Sequence, residues 1–358
     1  MSRHDRKPDP RNLGLTLAIM TDEGWRWSPY RFLLNIYEGS TNGQNLSDRF
    51  GHLDCFFQHR YYFPMASLQA NGITLEYEIH GSGTPLLLIM GLGGQLSSWP
   101  AGFVAELILR GFQVIIFDNR DSGLSTKGNL EPAPLSRQIL ATLSRRFAKS
   151  EYKLEDMAND AAGLLDELGI ASAHVVGMSM GGMIAQSLAI AHPRKVRSLT
   201  SVMSTTGNKR VGHIGLKALP KLAKLTVGDE STYVERSVAI FGIVSGSSFV
   251  ESEARATAEG DRARSYCPDG TSRQTSAIMA SPDRTSQLET LRLPTLVIHG
   301  LEDALVVPSG GIATAKAVEG ARLLMFPDMG HNIPRKRHAE IAEAIRENSL
   351  RAAVGSVA

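Results

Sequence analysis

The apolar and polar positions of the chain follow a period of two in some segments and a helical period in others. Residues 73–79 (ITLEYEI) alternate, which predicts a strand, and Asn71-Gly72 before them is typical of a hairpin turn that joins it to a strand from about Leu68. Residues 86–90 (LLLIM) are apolar throughout, as expected of a strand buried on both faces. Further strands are predicted at 113–117, 173–176, 199–202, 295–299 and 323–326.

Segments of helical spacing separate these strands. Apolar residues recur at helical intervals from Leu154 to Leu168, and Gly169 is placed to end that helix. Other helices are predicted at 103–110, 180–191 and 338–351. Because strands and helices alternate, the pattern predicts an α/β fold, with a mostly parallel sheet covered by helices on both faces.

Residues 208–292 break this alternation. They contain helix-like stretches at 216–225, 231–241 and 251–264 but no convincing strand, which predicts a helical cap inserted into the fold. We therefore expect the α/β core to occupy residues 65–207 and 293–358, on either side of the cap.

Residues 1–64 show no sustained period of either kind. We expect an N-terminal extension of poor order, outside the α/β core; a mis-assigned start and a functional module remain open alternatives. The first residues contain no apolar stretch typical of a secretory signal, which favours a cytoplasmic protein.

Composition narrows the classes of partner. The formal net charge of the 358 residues is only +2, so charge balance gives no reason to expect nucleic acid or an anionic membrane. The apolar runs are too short for a membrane span. Cys55 and Cys267 lie far apart and no metal-binding motif occurs, so we expect no disulfide framework, no metal and no cofactor.

The strongest chemical signal is the sequence GMSMGG at residues 177–182. It follows a predicted strand and precedes a predicted helix, the context in which a sharp strand–turn–helix elbow exposes a nucleophilic serine. Small residues must flank such a serine, and Gly177 and Gly181 meet that need. The alternative is an exposed serine in a glycine-rich turn. We identify Ser179 as the candidate nucleophile.

A serine nucleophile needs a base, and the base needs an acid that fixes its tautomer. His331 lies in the loop between the last predicted strand and the last helix, and is the candidate base. The acid should lie between the two in the chain. Asp303 is preferred over its neighbour Glu302, because HGLEDALVVP at residues 299–308 is similar to an HGxxD–VP loop. His174, His192 and His299 are interpreted as structural.

Backbone donors are expected to bind the oxyanion of the transition state. The strand at 86–90 ends in the glycine-rich turn GLGG, which can direct the Leu92 N–H toward the nucleophile, with the Met180 N–H as the second donor. A phosphate-binding loop is the alternative, but the glycine spacing does not match one.

Together these elements resemble the α/β-hydrolase superfamily from about residue 73 to 344. The sequence FDNRDSGLS at 117–125 is similar to the family turn D-x-R-G-x-G-x-S, with Asp121 where glycine is usual. With the MGLGG turn and the short cap, the chain most resembles bacterial esterases of the aclacinomycin methylesterase kind. Many relatives have histidine where this chain has Met90, which affects the local hydrogen bonds.

The resemblance implies hydrolysis of a small carboxylic ester through an acyl-enzyme. A lactonase, amidase, C–C bond hydrolase or cofactor-free perhydrolase would share the fold, and a non-catalytic binding protein is the alternative of another class. The oligomeric state is left open. Apolar cap residues suggest either an apolar substrate pocket or the core of the cap: Leu216, Leu219, Leu222, Phe241, Phe249 and Met279.

Overall fold

The computed structural model describes residues 16–21, 24–29, 66–131, 140–141, 144–225 and 228–354. The chain forms two compact units, Met1–Arg60 and Tyr61–Ala358. In the first unit β1 (Thr16–Thr21) and β2 (Gly24–Pro29) form an antiparallel hairpin, in which Thr21 pairs with Gly24. The sequence analysis predicted no strand here. The rest of this extension, which we expected to be poorly ordered, lies outside the described residues.

The second unit contains an eight-stranded sheet in the order β10-β9-β8-β7-β5-β6-β4-β3. Strand β4 is antiparallel to its neighbours β3 and β6, and the other neighbouring strands are parallel, so the predicted mostly parallel sheet is confirmed. The strands are β3 (Ala66–Ala70), β4 (Ile73–His80), β5 (Thr84–Ile89), β6 (Phe112–Phe117), β7 (Ala173–Met178), β8 (Val196–Val202), β9 (Thr295–Gly300) and β10 (Arg322–Phe326).

Two hydrophobic cores cover the two faces of the sheet. Side chains alternate along a strand, so Leu87 of β5 lies in one core and Leu86 in the other. The first core contains α2 (Leu154–Glu167) and α3 (Met180–Ala191); the second contains α1 (Ala101–Leu109) and α10 (His338–Val354). The expected helices on both faces are confirmed. In the described part of the chain, no helix is long and apolar enough to cross a bilayer.

The predicted turn between β3 and β4 is present. Asn71 and Gly72 both have positive φ, 49° and 77°, and the flanking Ala70 and Ile73 are paired across the two strands. This is the backbone that a two-residue hairpin requires. The turn fixes the register of the antiparallel edge of the sheet.

Helices α4 to α8 make up the inserted cap, followed by α9 in the core. The predicted pieces correspond to α4 (Leu219–Leu225), α5 (Tyr233–Val244) and α6 (Glu251–Arg264), whereas α7 (Pro268–Ala280), α8 (Thr285–Leu288) and α9 (Ser309–Ala317) were not predicted. Helix α7 buries Arg273, Gln274 and Ser276, so its inward face is polar. A helix with a polar inward face has no apolar period to detect.

Candidate active site

Ser179 occupies a sharp turn between β7 and α3. Its backbone has φ 57° and ψ −121°, a conformation that non-glycine residues rarely adopt. The turn fits because its neighbours are small: a Cβ on Gly177 would overlap the Gly181 carbonyl, and one on Gly181 would overlap the carbonyl of Ile89 in β5. The Ser179 N–H donates to the Val202 carbonyl of β8 at 2.8 Å, which anchors the turn.

The structure brings Ser179, His331 and Asp303 into contact. The Nε2 atom of His331 lies 2.9 Å from Ser179 Oγ, and its Nδ1 lies 2.7 Å from Asp303 Oδ2. All three side chains are buried, with 9%, 6% and 3% of the surface of Ser179, His331 and Asp303 exposed. This arrangement can deprotonate the serine hydroxyl and stabilise the imidazolium that results.

The loop after β9 fixes the carboxylate of Asp303. Its Oδ1 accepts backbone N–H groups from Leu305 at 2.9 Å and Val306 at 2.8 Å, leaving Oδ2 for His331. Burial raises the pKa of Asp303, but the neighbouring His331 and hydrogen bonds from His299 and His331 outweigh it and lower the pKa to about 2. The carboxylate is therefore ionised at neutral pH.

Glu302, the competing acid, lies elsewhere. Its Oε2 accepts the Ser247 N–H at 2.5 Å, outside the contact between serine and histidine. His299 lies closer to the site than the sequence indicated: its Nε2 donates to the Val306 carbonyl at 2.7 Å and lies 3.3 Å from Asp303 Oδ2. His299 therefore braces the loop that carries Asp303.

The loop that carries His331 is held by the cap. The His331 N–H donates to the carbonyl of Val244, at the end of α5, at 2.8 Å. A Cβ on Gly330 would overlap the backbone of Val244 and Ser245, so glycine is needed for this approach. The position of His331 thus depends on a cap helix.

The glycine-rich turn after β5 lies directly against the elbow. A Cβ on Gly91 would lie 3.1 Å from the Cβ and 3.7 Å from the Oγ of Ser179, so the backbone that leads into Leu92 passes beside that side chain. Met180 is the first residue of α3, where a backbone N–H has no partner within the helix. The Met90 carbonyl accepts the side-chain amide of Asn119 at 2.9 Å, which supports the turn where many relatives have histidine.

Gln274 of the cap braces the same turn, and sequence reasoning missed it. The Gly93 N–H donates to Gln274 Oε1 at 2.8 Å, and Gln274 Nε2 donates to the Arg120 carbonyl at 2.8 Å. The side chain is fully buried on the inward face of α7. No motif marks a lone glutamine in a polar helix, so only the structure identifies it.

Asp118 and Asp261 extend this contact along the glycine-rich turn. Asp118 accepts the Leu96 N–H at 2.7 Å and pairs with Arg264 of α6 at 2.7 Å. Asp261 of α6 accepts hydroxyls from Ser97 at 2.9 Å and Ser98 at 2.8 Å. We call the contact of residues 93–98 with α6 and α7 the cap clamp.

Asp121, which departs from the family glycine, also contacts the cap. Its φ is 68°, in the region that favours glycine, and its carboxylate accepts hydrogen bonds from Arg273 at 2.7 Å and from the Tyr152 hydroxyl at 2.6 Å. Burial and the hydrogen bond to Asp121 raise the pKa of the Tyr152 hydroxyl. Aspartate at this position thus adopts a strained backbone conformation but forms a buried ion pair with Arg273 of α7.

The apolar cap residues divide into two groups. Leu222, Phe241 and Phe249 pack within the cap, and Met279 is half-buried. The expectation was wrong for Leu216 and Leu219, because 82% and 48% of their surfaces are exposed. Among the described residues, no three His, Cys, Asp or Glu side chains are grouped to hold a metal.

Comparison with known proteins establishes the family. The family model of the α/β-hydrolase fold matches residues 84–334, more than half of the chain, and the chain therefore belongs to that family. It is 26% identical over 314 residues to the rhodomycin D methylesterase DauP of Streptomyces sp. strain C5, covering 81% of this chain and 100% of the relative. The methylesterase DnrP of Streptomyces peucetius is 26% identical over 293 residues, covering 75% and 92%.

Solved structures agree on the fold. The enol-lactonase of Burkholderia xenovorans LB400 is similar with a TM-score of 0.59 and 24% identity, over 81% of this chain and 100% of that one. The predicted α/β-hydrolase fold and the resemblance to bacterial methylesterases are confirmed.

Proposed function

We propose that the protein hydrolyses a small carboxylic ester through an acyl-enzyme, with Ser179 as nucleophile, His331 as base and Asp303 as orienting acid. The observation that carries the proposal is the continuous contact from Ser179 Oγ through the imidazole to the Asp303 carboxylate, at 2.9 and 2.7 Å. The methylesterase relatives support an ester as the substrate.

Each group has a defined role in the proposed reaction. His331 Nε2 takes the proton of Ser179 as Oγ attacks the ester carbonyl, and then returns it to the leaving alkoxide. Asp303 holds the proton on Nδ1 and stabilises the imidazolium. The backbone N–H groups of Leu92 and Met180 are proposed to bind the oxyanion. A water activated by the same histidine releases the acid.

The alternatives on this fold differ in the bond that is cleaved. A lactone presents the same acyl–oxygen bond in a ring, so the triad proposed here would open it by the same steps. The similarity in fold to an enol-lactonase keeps that substrate class in the test. Amides require a better proton donor to the leaving nitrogen, so we expect esters to react faster.

A combined labelling and substrate experiment tests the proposal. A fluorophosphonate probe should label the wild type but not Ser179→Ala, and p-nitrophenyl esters of rising acyl length should be hydrolysed beside lactones and amides. Ser179→Ala should reduce kcat by about 10³ or more. The matched control is Ser187→Ala, which removes a buried hydroxyl of α3 that donates to the Met183 carbonyl at 3.1 Å and should leave kcat little changed. Labelling of a folded Ser179→Ala protein, or no turnover of any ester, would refute the proposal.

A further inference from the structure

One stretch of the cap carries only positive charge. Residues 208–225 (NKRVGHIGLKALPKLAKL) contain four lysines and one arginine, and no aspartate or glutamate. The net charge of the whole chain is +2, so a balance taken over all residues conceals this cluster. We call residues 208–225 the basic segment.

Apolar side chains are exposed between these cations. Leu216 is 82% and Leu219 48% exposed. Lys217, in the turn before α4, and Lys221 and Lys224 of α4 are also exposed. Among the described residues, none of these three lysines forms an ion pair.

The inward side of the basic segment holds it in place. Ala218 and Leu222 are buried against Val244, with Ala304 and Leu305 packed beside them. The outward leucines and lysines are therefore presented from an anchored element.

The backbone ties the same segment to the loop of the candidate acid. The Gly215 N–H donates to the Ala304 carbonyl at 2.9 Å, and the Val307 N–H donates to the His213 carbonyl at 3.2 Å. The basic segment thus lies beside the loop that carries Asp303.

We propose that the basic segment is a docking surface for an anionic lipid bilayer. Lysines beside exposed leucines match the two parts of such a surface, since lipid phosphates attract the cations and the interface buries the apolar side chains. The segment contains no aromatic residue, which disfavours single-stranded nucleic acid, whose bases stack on aromatic rings. The docking does not depend on the proposed ester hydrolysis.

Vesicle co-sedimentation of the full chain tests the proposal. We expect binding to vesicles of equimolar phosphatidylcholine and phosphatidylglycerol, little binding to phosphatidylcholine alone, and weaker binding as salt rises. The variant Lys217→Gln/Lys221→Gln/Lys224→Gln should lower the partition coefficient on the order of 100-fold, at about fivefold per charge. The variant Leu216→Ser/Leu219→Ser should also weaken binding, at every salt concentration.

A matched variant separates local from total charge. Lys149, Arg194 and Arg197 are exposed cations outside the basic segment, and changing all three to Gln removes the same charge. This control should bind vesicles as the wild type does. Equal losses in the two triple variants, binding to duplex DNA without binding to vesicles, or no preference for the anionic vesicles would overturn the proposal. Thermal melting and hydrolysis of p-nitrophenyl acetate show that each variant is folded; an inactive wild type would count against the proposed hydrolysis only.

Discussion

Replacement of the candidate acid, Asp303→Asn, should reverse the tautomer of His331. Two backbone N–H groups donate to Oδ1 at 2.9 and 2.8 Å, so in the variant the amide oxygen must keep that place. The amide NH₂ then takes the place of Oδ2, 2.7 Å from His331 Nδ1, and donates to it. Nε2 is left protonated and cannot accept the proton of Ser179.

The size of the effect follows from this geometry. A triad histidine held in the wrong tautomer loses about 10⁴ in kcat, or about 5.5 kcal/mol of transition-state stabilisation. Glu302→Gln is the matched control, because a Gln amide oxygen can still accept the Ser247 N–H and the side chain lies outside the triad. We expect the kcat of Glu302→Gln to stay within about twofold of the wild-type value, because the substitution is at the surface.

Steady-state kcat on one p-nitrophenyl ester, with a thermal melt of each protein, provides the measurement. The melts are needed because loss of the ionised carboxylate also removes a stabilising contact. Retention of more than about a tenth of kcat by folded Asp303→Asn would refute the reasoning. So would a Glu302→Gln protein that is equally impaired, since the loop would then use the other carboxylate.

Three further predictions concern the cap clamp, a buried histidine and the extension. Gln274→Met keeps the shape of the side chain but leaves the Gly93 N–H and the Arg120 carbonyl unpaired, at a cost of about 1–3 kcal/mol each. We expect kcat to fall about tenfold or more with KM little changed, whereas Thr275→Ala on the same helix should not change kcat. Equal kcat values in the two variants would contradict the positioning role of Gln274. Burial and the nearby Arg197 lower the pKa of His174 from 6.5 to about 4, so between these pH values the unfolded chain binds a proton that the folded chain does not. The free energy of unfolding should therefore fall by at most about 3 kcal/mol as the pH drops from 6.5 to 4. In urea unfolding, His174→Asn should reduce this pH dependence, and an unchanged slope would contradict the assignment. A chain that begins at Met65 should fold and keep its esterase kcat, because the eight-stranded sheet and the proposed triad lie after that residue. A large fall in melting temperature would show instead that residues 1–64 stabilise the domain.

Sequence pattern was sufficient where apolar period and glycine geometry determine structure. The buried strands and the helix Met180–Ala191 follow from hydrophobic spacing. The elbow follows from glycines at positions where a Cβ would overlap the backbone. These features are local, so the residues that specify them are close in sequence.

Contacts across the chain were not predictable in the same way. The cap clamp joins residues 93–98 to α6 and α7 through buried polar groups such as Gln274. A buried polar residue does not belong to any apolar pattern in the sequence, so the pattern cannot identify it. The choice of Asp303 over Glu302 rested on resemblance, and only the three-dimensional loop shows which carboxylate reaches His331. The hairpin Thr16–Thr21/Gly24–Pro29 was also missed, although its two strands are as long as β5 and β6.

The cap clamp has a consequence for redesign and for divergence within the family. Caps of such hydrolases are attractive to exchange, because substrate choice is expected to lie there while the triad lies in the core. In this protein α7 contacts the glycine-rich turn through Gln274, and α5 holds the histidine loop through the Val244 carbonyl. A transplanted cap would therefore have to bring residues that rebuild both contacts. Because the cap contacts both of these loops, we expect chimaeras to lose turnover before they gain a new substrate.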